Sequence, residues 1–296
     1  MRKMEIRKLQ KKILREELRR RRKNSKRHRL LVTGILALLI LLFAGAAFYL
    51  YNLDGMLEKD FQQAQELVEE GDYATAVAAF QRIYQHHPSF YLAPQALFEA
   101  GEVLNLYQQR YPEALLTYLL VEKDFPDSES ASSARRKIAE IYKYRLRDYS
   151  RAVVAYQKLL DSGVEDGDRV QYELGDTYFR LNNFEQARIE FESLFKTWPQ
   201  SPLLPQVRFR IATTFALEGE LKEAEADYRA VIREWPDDPF AIEARFGLAA
   251  VLEDGERLLD ALKVLEQLRG VYPNPEILQK RIEQVKERIR KKKKAI

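Results

Sequence analysis

Between residues 57 and 273 the apolar residues return every three or four positions, in short blocks separated by Gly, Asn, Asp or Pro. This periodicity predicts amphipathic helices joined by tight turns. In "YELGDTYFRLNNFEQARIEFESLFKTWP", Leu174, Gly175 and Tyr178 share one face of a first helix. Ala187 and Phe191 share one face of a second. Upstream the pattern changes: residues 30–51 form a run of 22 without a charge, preceded by a dense block of Lys and Arg.

The helix pairs repeat. Pro88, Pro126, Pro199, Pro236 and Pro273 each stand twelve residues after an alanine: Ala76, Ala114, Ala187, Ala224 and Ala261. Four residues after each alanine comes a large side chain: Phe80, Tyr118, Phe191, Tyr228 and Leu265. Twelve or thirteen residues before it comes a small one: Ala64, Gly101, Gly175, Ala212 and Ala249. A further copy has Ala139, Ala152 and Tyr156, but Val164 where proline would fall. Successive alanines lie 38, 38, 35, 37 and 37 residues apart, and copies two and three hold one extra residue between small residue and alanine. The small residues let helix A and helix B of a copy approach, and the large one fills the space beside them. Gly71, Asn182 or Asn183, Gly219 and Gly255 fall between the helices, where a left-handed cap is wanted. The recurrent proline closes helix B.

This pattern resembles the tetratricopeptide repeat over about residues 57–273, and predicts an all-α, right-handed solenoid of six helix-turn-helix units. Three stretches start helix A a turn early: "FPDSESASSARRKIAEIY", "WPQSPLLPQVRFRIATTF" and "WPDDPFAIEARFGLAAVL". In this the chain looks like periplasmic repeat proteins of the outer-membrane-assembly lipoprotein and cell-division-coordinator type. The resemblance implies an envelope location and protein partners. After Pro273, Asn274 and Pro275 form a helix-start pair, and Leu278, Ile282, Val285 and Ile289 make one stripe. Residues 274–290 are expected to cap the last open face of the solenoid, with residues 291–296 as a basic tail.

The uncharged run is long enough to anchor the chain. At about 1.5 Å per residue it spans roughly 33 Å, against a bilayer core of about 30 Å. Ala44, Gly45 and Ala46 also offer a small-x-small cleavage site, so removal after Ala46 is the alternative. The apolar run continues past that site to Phe48, Tyr49, Leu50 and Tyr51, as an interfacial aromatic belt would. The chain has no cysteine, so a lipidated thiol is excluded as an anchor, together with disulfides and thiolate chemistry.

Charge is divided by region. Residues 1–29 carry 15 Lys or Arg against 3 Glu, and residues 276–296 carry 9 against 3. Of the chain's 49 basic and 45 acidic residues this leaves 25 and 39 in between, a net charge of −14. The repeat region would repel nucleic acid. The Lys/Arg bias predicts a cytoplasmic N-terminus and a periplasmic repeat domain at a bacterial inner membrane. Met4, Ile6, Leu9, Ile13, Leu14 and Leu18 lie at near-helical spacing among the cations, the pattern of a basic amphipathic helix on anionic headgroups.

With the small residue of helix A numbered 8, positions 4, 7, 8 and 11 face the core. Position 5 points roughly 130° away from them. Position 5 reads Phe61, Phe98, Arg136, Tyr172, Phe209 and Phe246, and position 9 reads Gln65, Glu102, Glu140, Asp176, Thr213 and Ala250. Lining the concave side, Phe61, Phe98, Tyr172, Phe209 and Phe246 with Glu102, Glu140 and Asp176 would suit an extended or helical peptide bearing apolar and basic residues. The alternative is that these rings pack between repeats. No catalytic, cofactor or metal residues are expected. The histidines are His28, His86 and His87, and neither a phosphate loop nor a nucleophile elbow is present. The function expected is a scaffold or adaptor that binds protein or peptide. A self-associating oligomer and a cytosol-facing adaptor of reversed topology remain alternatives.

Overall fold

The structure, a computed structural model, describes residues 2–294, except the side chains of residues 2–11, 13, 14, 21–32, 46, 49 and 50. It divides into two compact units, Met1–Glu70 and Gly71–Ile296.

The first unit is one helix, α1 (Arg2–Glu69), which passes through the basic segment, the uncharged run and helix A of the first copy without a break. No proline interrupts it. Ile35, Leu36, Leu38, Leu39, Ile40, Leu41, Leu42, Phe43 and Phe48 all lie largely exposed on it. Leu57, Phe61 and Ala64 are buried. Among the described residues, no helix is long and apolar enough to cross a membrane. The side chains of Leu30, Leu31, Val32, Ala46, Tyr49 and Leu50 in the expected span lie outside the described residues. So do those of Met4, Ile6, Leu9, Ile13 and Leu14 in the amphipathic pattern, while Leu18 is exposed.

Among the described residues of the second unit, the regular secondary structure is all helical. Helix α2 (Tyr73–His86) is helix B of copy one. The A and B pairs that follow begin with α3 (Ala93–Glu102) and α4 (Tyr111–Asp124). Next come α5 (Glu129–Glu140) with α6 (Tyr149–Asp161), and α7 (Gly167–Arg180) with α8 (Phe184–Thr197). Then follow α9 (Leu204–Glu218) with α10 (Leu221–Glu234), α11 (Pro239–Asp254) with α12 (Leu258–Glu266), and finally α13 (Pro275–Lys294).

The small residue, the alanine and the large residue of every copy are buried, from Ala76 and Phe80 to Ala261 and Leu265, whereas the recurrent prolines are exposed. The pairing is direct. A Cβ added at Gly101 would meet the Tyr118 ring at 2.6 Å, and one at Gly175 the Phe191 ring at 2.5 Å. The cores run on from copy to copy: Ala212, Ala224 and Tyr228 of the fifth share one cluster with Ala244, Leu248 and Ala261 of the sixth. Nearest-neighbour packing of this kind is what makes a solenoid stand.

Copies two and three absorb their extra residue as a wide turn. Helix α3 passes directly into a π-helical turn, Val103–Tyr107, and α5 into another, Ile141–Arg145. A π-turn takes in one residue without ending the helix, so the small residue and the alanine still face each other. Each A-to-B turn then has one residue with left-handed φ at a matching register: Gly71, Gln109, Arg147, Asn182, Gly219 and Glu256. The expectation for Gly255 is corrected here. Its φ is −77°, and Glu256 beside it takes the left-handed conformation at 59°.

At the far end Asn274 accepts from the Ile277 amide at 3.1 Å and starts α13. Leu278, Ile282 and Val285 cover Ala249, Leu258 and Leu265. Buried Glu253 takes Arg281 at 2.7 Å and Arg288 at 3.3 Å, tying α13 to α11. Residues 291–294 belong to this helix rather than to a separate tail, and Lys292 reaches Glu256 at 3.0 Å.

Candidate partner-binding face

The A helices of adjoining copies touch, α3 with α5 and α9 with α11, whereas each B helix packs chiefly on A helices. The A helices therefore line the tighter side of the repeat domain. On that side the expected row is present but partly spent on packing. Phe98, Tyr172, Phe209 and Phe246 are half-buried, as is Arg136. Each ring leans on another aromatic: Phe98 on Tyr118 at 5.5 Å, Tyr172 on Phe191 at 5.8 Å and Phe209 on Tyr228 at 5.7 Å between centroids. Phe246 stacks on Tyr272 at 4.7 Å. Packing and display thus coexist in these rings. Phe61 differs, because it is buried and offers no open ring.

Two of the position-9 carboxylates, Glu102 and Asp176, are joined to cations of neighbouring copies. Glu102 accepts from the Tyr118 hydroxyl and from Lys137 Nζ, the latter at 3.0 Å. Asp176, buried, is held by Lys143 at 2.8 Å, Arg180 at 2.9 Å and Arg210 at 3.3 Å. Burial alone would raise the Asp176 carboxyl, but Lys143, Arg180 and Arg210 outweigh it and hold the group below the usual carboxylate range. Glu140 is half-buried, and burial pushes its carboxyl up, only partly offset by Lys137 and Arg136. Of the other position-9 residues, Thr213 bonds back to the Phe209 carbonyl at 2.8 Å.

At the centre of this ladder is Lys143, which the repeat pattern does not single out. It sits in the π-turn of copy three with its side chain sealed from water. Its three N–H groups are matched by the Glu173 carbonyl at 3.0 Å, the Glu173 carboxylate at 2.6 Å and Asp176 at 2.8 Å. The same position in copy two is Asn105, also buried. The one signal in the sequence is the extra residue of these two copies, which turns a polar side chain inward.

A depressed carboxyl stabilises the fold in full above the usual aspartate range and loses that contribution as pH falls through its folded value. Replacing Asp176 with Asn is therefore expected to lower the urea midpoint at neutral pH. The gap between the two proteins should narrow once pH drops below about 4. An equal gap at both pH values would show that the cations around Asp176 contribute no such stability.

The sequence profile of the tetratricopeptide repeat family matches residues 61–129, 141–202, 172–239 and 209–274, well over half of the chain. This chain belongs to the tetratricopeptide repeat family. Solved members share its fold at low sequence identity. A tetratricopeptide repeat protein from Parabacteroides merdae aligns at TM-score 0.55 and 19% identity, over 78% of this chain and 87% of that one. YrrB, described as a repeat protein with an unusual peptide-binding site, aligns at 0.51 and 18%, over 69% and 98%. PilW, described as a widely conserved type IV pilus biogenesis factor, aligns at 0.50 and 17%, over 76% and 97%. No curated protein matches the repeat chain by sequence.

Proposed function

We propose that this tetratricopeptide repeat chain is a membrane-tethered adaptor that holds other proteins on the A-helix face of its solenoid. The observation that carries the reading is the row of Phe98, Tyr172, Phe209 and Phe246. These half-open rings stand at one register on four of the five successive A helices from α3 to α11, with Arg136 at that register on α5. Rings fixed by their neighbours bind with little loss of side-chain freedom. The fold shared with YrrB, whose own description includes a peptide-binding site, supports a peptide or protein as the occupant.

Residues 30–51 are the tether in this reading. Their support is the absence of charge over 22 residues and the largely exposed aliphatic side chains between Ile35 and Phe43 on an unbroken helix. A bilayer would cover that band. The Lys/Arg bias places residues 1–29 in the cytoplasm and the solenoid in the periplasm of a bacterial envelope, for work in assembly, secretion or division.

Changing Phe209 and Phe246 together to Ala is expected to cut partner recovery after in-cell crosslinking at least tenfold, with only a modest fall in melting temperature. Recovery that persists while the fold collapses would assign the rings to packing alone. For the tether, the chain is expected to stay in the membrane pellet after alkaline carbonate and its solenoid to be digested by protease in spheroplasts. A protected solenoid would reverse the topology.

A further inference from the structure

The B helices carry a feature outside the aromatic row. Leu116 on α4, Val154 on α6 and Ile189 on α8 each stand two residues after the repeat alanine, and are 60%, 68% and 50% exposed. Between α4 and α6 lies a groove of about 260 Å³. Its apolar lining is Leu119, Val154 and Ala155 on the walls, with Ile138 of α5 and Tyr142 of the π-turn that follows it on the floor. The volume is below the ~300–1,000 Å³ usual for small-molecule sites and suits side chains of a docked segment.

Its charged lining is three cations against one carboxylate: Arg135, Arg151 and Lys158 with Glu122. Glu122 is shared by Arg135 at 3.0 Å and Lys158 at 2.7 Å, so one positive charge is in excess there. Arg151, with 70% of its side chain exposed, meets only Asp148, at 3.3 Å, among the described carboxylates. This basic spot lies on a region whose net charge is −14.

The corresponding grooves differ. Between α8 and α10 the floor keeps the register, with Arg208, Ile211 and Phe215 for Arg135, Ile138 and Tyr142. Its walls carry Glu192 where Leu119 stands, and Glu223 and Ala226 where Arg151 and Val154 stand. That groove is acidic and has lost its aliphatic walls. Between α6 and α8, buried Gln171 stands in the register of Arg135 and donates to Glu190 at 2.6 Å.

We infer that the α4–α6 groove is a second docking surface, separate from the A-helix row, for a partner protein segment with an aliphatic or aromatic anchor flanked by Asp or Glu. The anchor enters between Leu119 and Val154, and the carboxylates meet Arg151 and Lys158. An acidic amphipathic segment is complementary in both respects, whereas a basic one is repelled.

The test is selection of a random peptide display library on the full chain in detergent micelles, repeated on a Val154→Asp, Lys158→Glu double variant. Val154 and the Lys158 side chain are largely exposed, and a thermal melt of each variant checks that the fold stands. Arg151→Glu, also on the surface, serves as an independent groove variant. Peptides depleted at least tenfold on both groove variants are expected to pair Leu, Ile or Phe with Asp or Glu. They should bind Phe209→Ala as well as the parent. The inference is overturned if no peptide is enriched, if the depleted set is basic, or if binding is lost in Phe209→Ala but kept in the groove variants. The last result would place the ligand on the A-helix face and leave that reading standing.

Discussion

Replacing Lys143 with Met is expected to lower the stability of the repeat domain by about 3–5 kcal/mol, the cost of removing one partner from a buried ion pair. The side chain is sealed from water between copies three and four, where it meets Glu173 at 2.6 Å and Asp176 at 2.8 Å. Without it, Asp176 keeps Arg180 and Arg210, but Glu173 loses its ion-pair partner. Methionine preserves much of the volume, so the loss reports charge rather than a cavity. A second change, Glu173→Leu in the Met variant, is expected to recover part of the loss, because it removes the carboxylate left without its cation. Urea unfolding of the four proteins gives the coupling directly. Additive effects would mean that Lys143 and Glu173 act independently.

The second large effect lies in the helix-to-helix contact. Phe191→Ala is expected to cost about 3–5 kcal/mol, as for other fully buried phenylalanines. Its partner position gives an opposite kind of test. In an open helix Gly→Ala gains about 1 kcal/mol. At Gly175 the new methyl would lie 2.5 Å from the Phe191 ring, so Gly175→Ala is expected to cost about 1–3 kcal/mol instead. Phe191→Leu in the Gly175→Ala background should return part of that loss. A gain in stability from Gly175→Ala alone would show that the ring does not rest on the glycine.

Much of this fold was legible because the repeat pattern is set by packing that local sequence records. The register of small residue, alanine and large residue marks where two helices touch, and all of these positions are buried. The asparagine-proline start and the apolar stripe after Pro273 likewise record a helix that covers an open end. Turn chemistry was only half readable. Gly71 and Gly219 take the left-handed conformation expected of glycine, but Gln109, Arg147 and Glu256 take it without the usual residue. There the flanking helices impose the backbone.

The candidate site was less legible. Helical angle alone sets the position-5 rings away from the core, yet Phe98, Tyr172 and Phe209 lean on the helix B ring of their own copy. Angle does not report how far a long side chain bends back. Glu102 and Asp176 looked like free carboxylates because their partners, Lys137, Lys143 and Arg210, come from neighbouring copies. Lys143 itself depends on the π-turn, which changes which side chain points inward. The groove between α4 and α6 is built from three helices and has no contiguous motif.

The central claim is that the A-helix row holds a partner protein, and photo-crosslinking in living cells tests it most directly. A crosslinking amino acid is placed singly at Phe98, Tyr172, Phe209 and Phe246, and at Lys280, exposed on α13, as the control. One discrete adduct common to the row positions, identified by mass spectrometry, is expected, and none from Lys280. Adducts from Lys280 with none from any of the four row positions would contradict the claim.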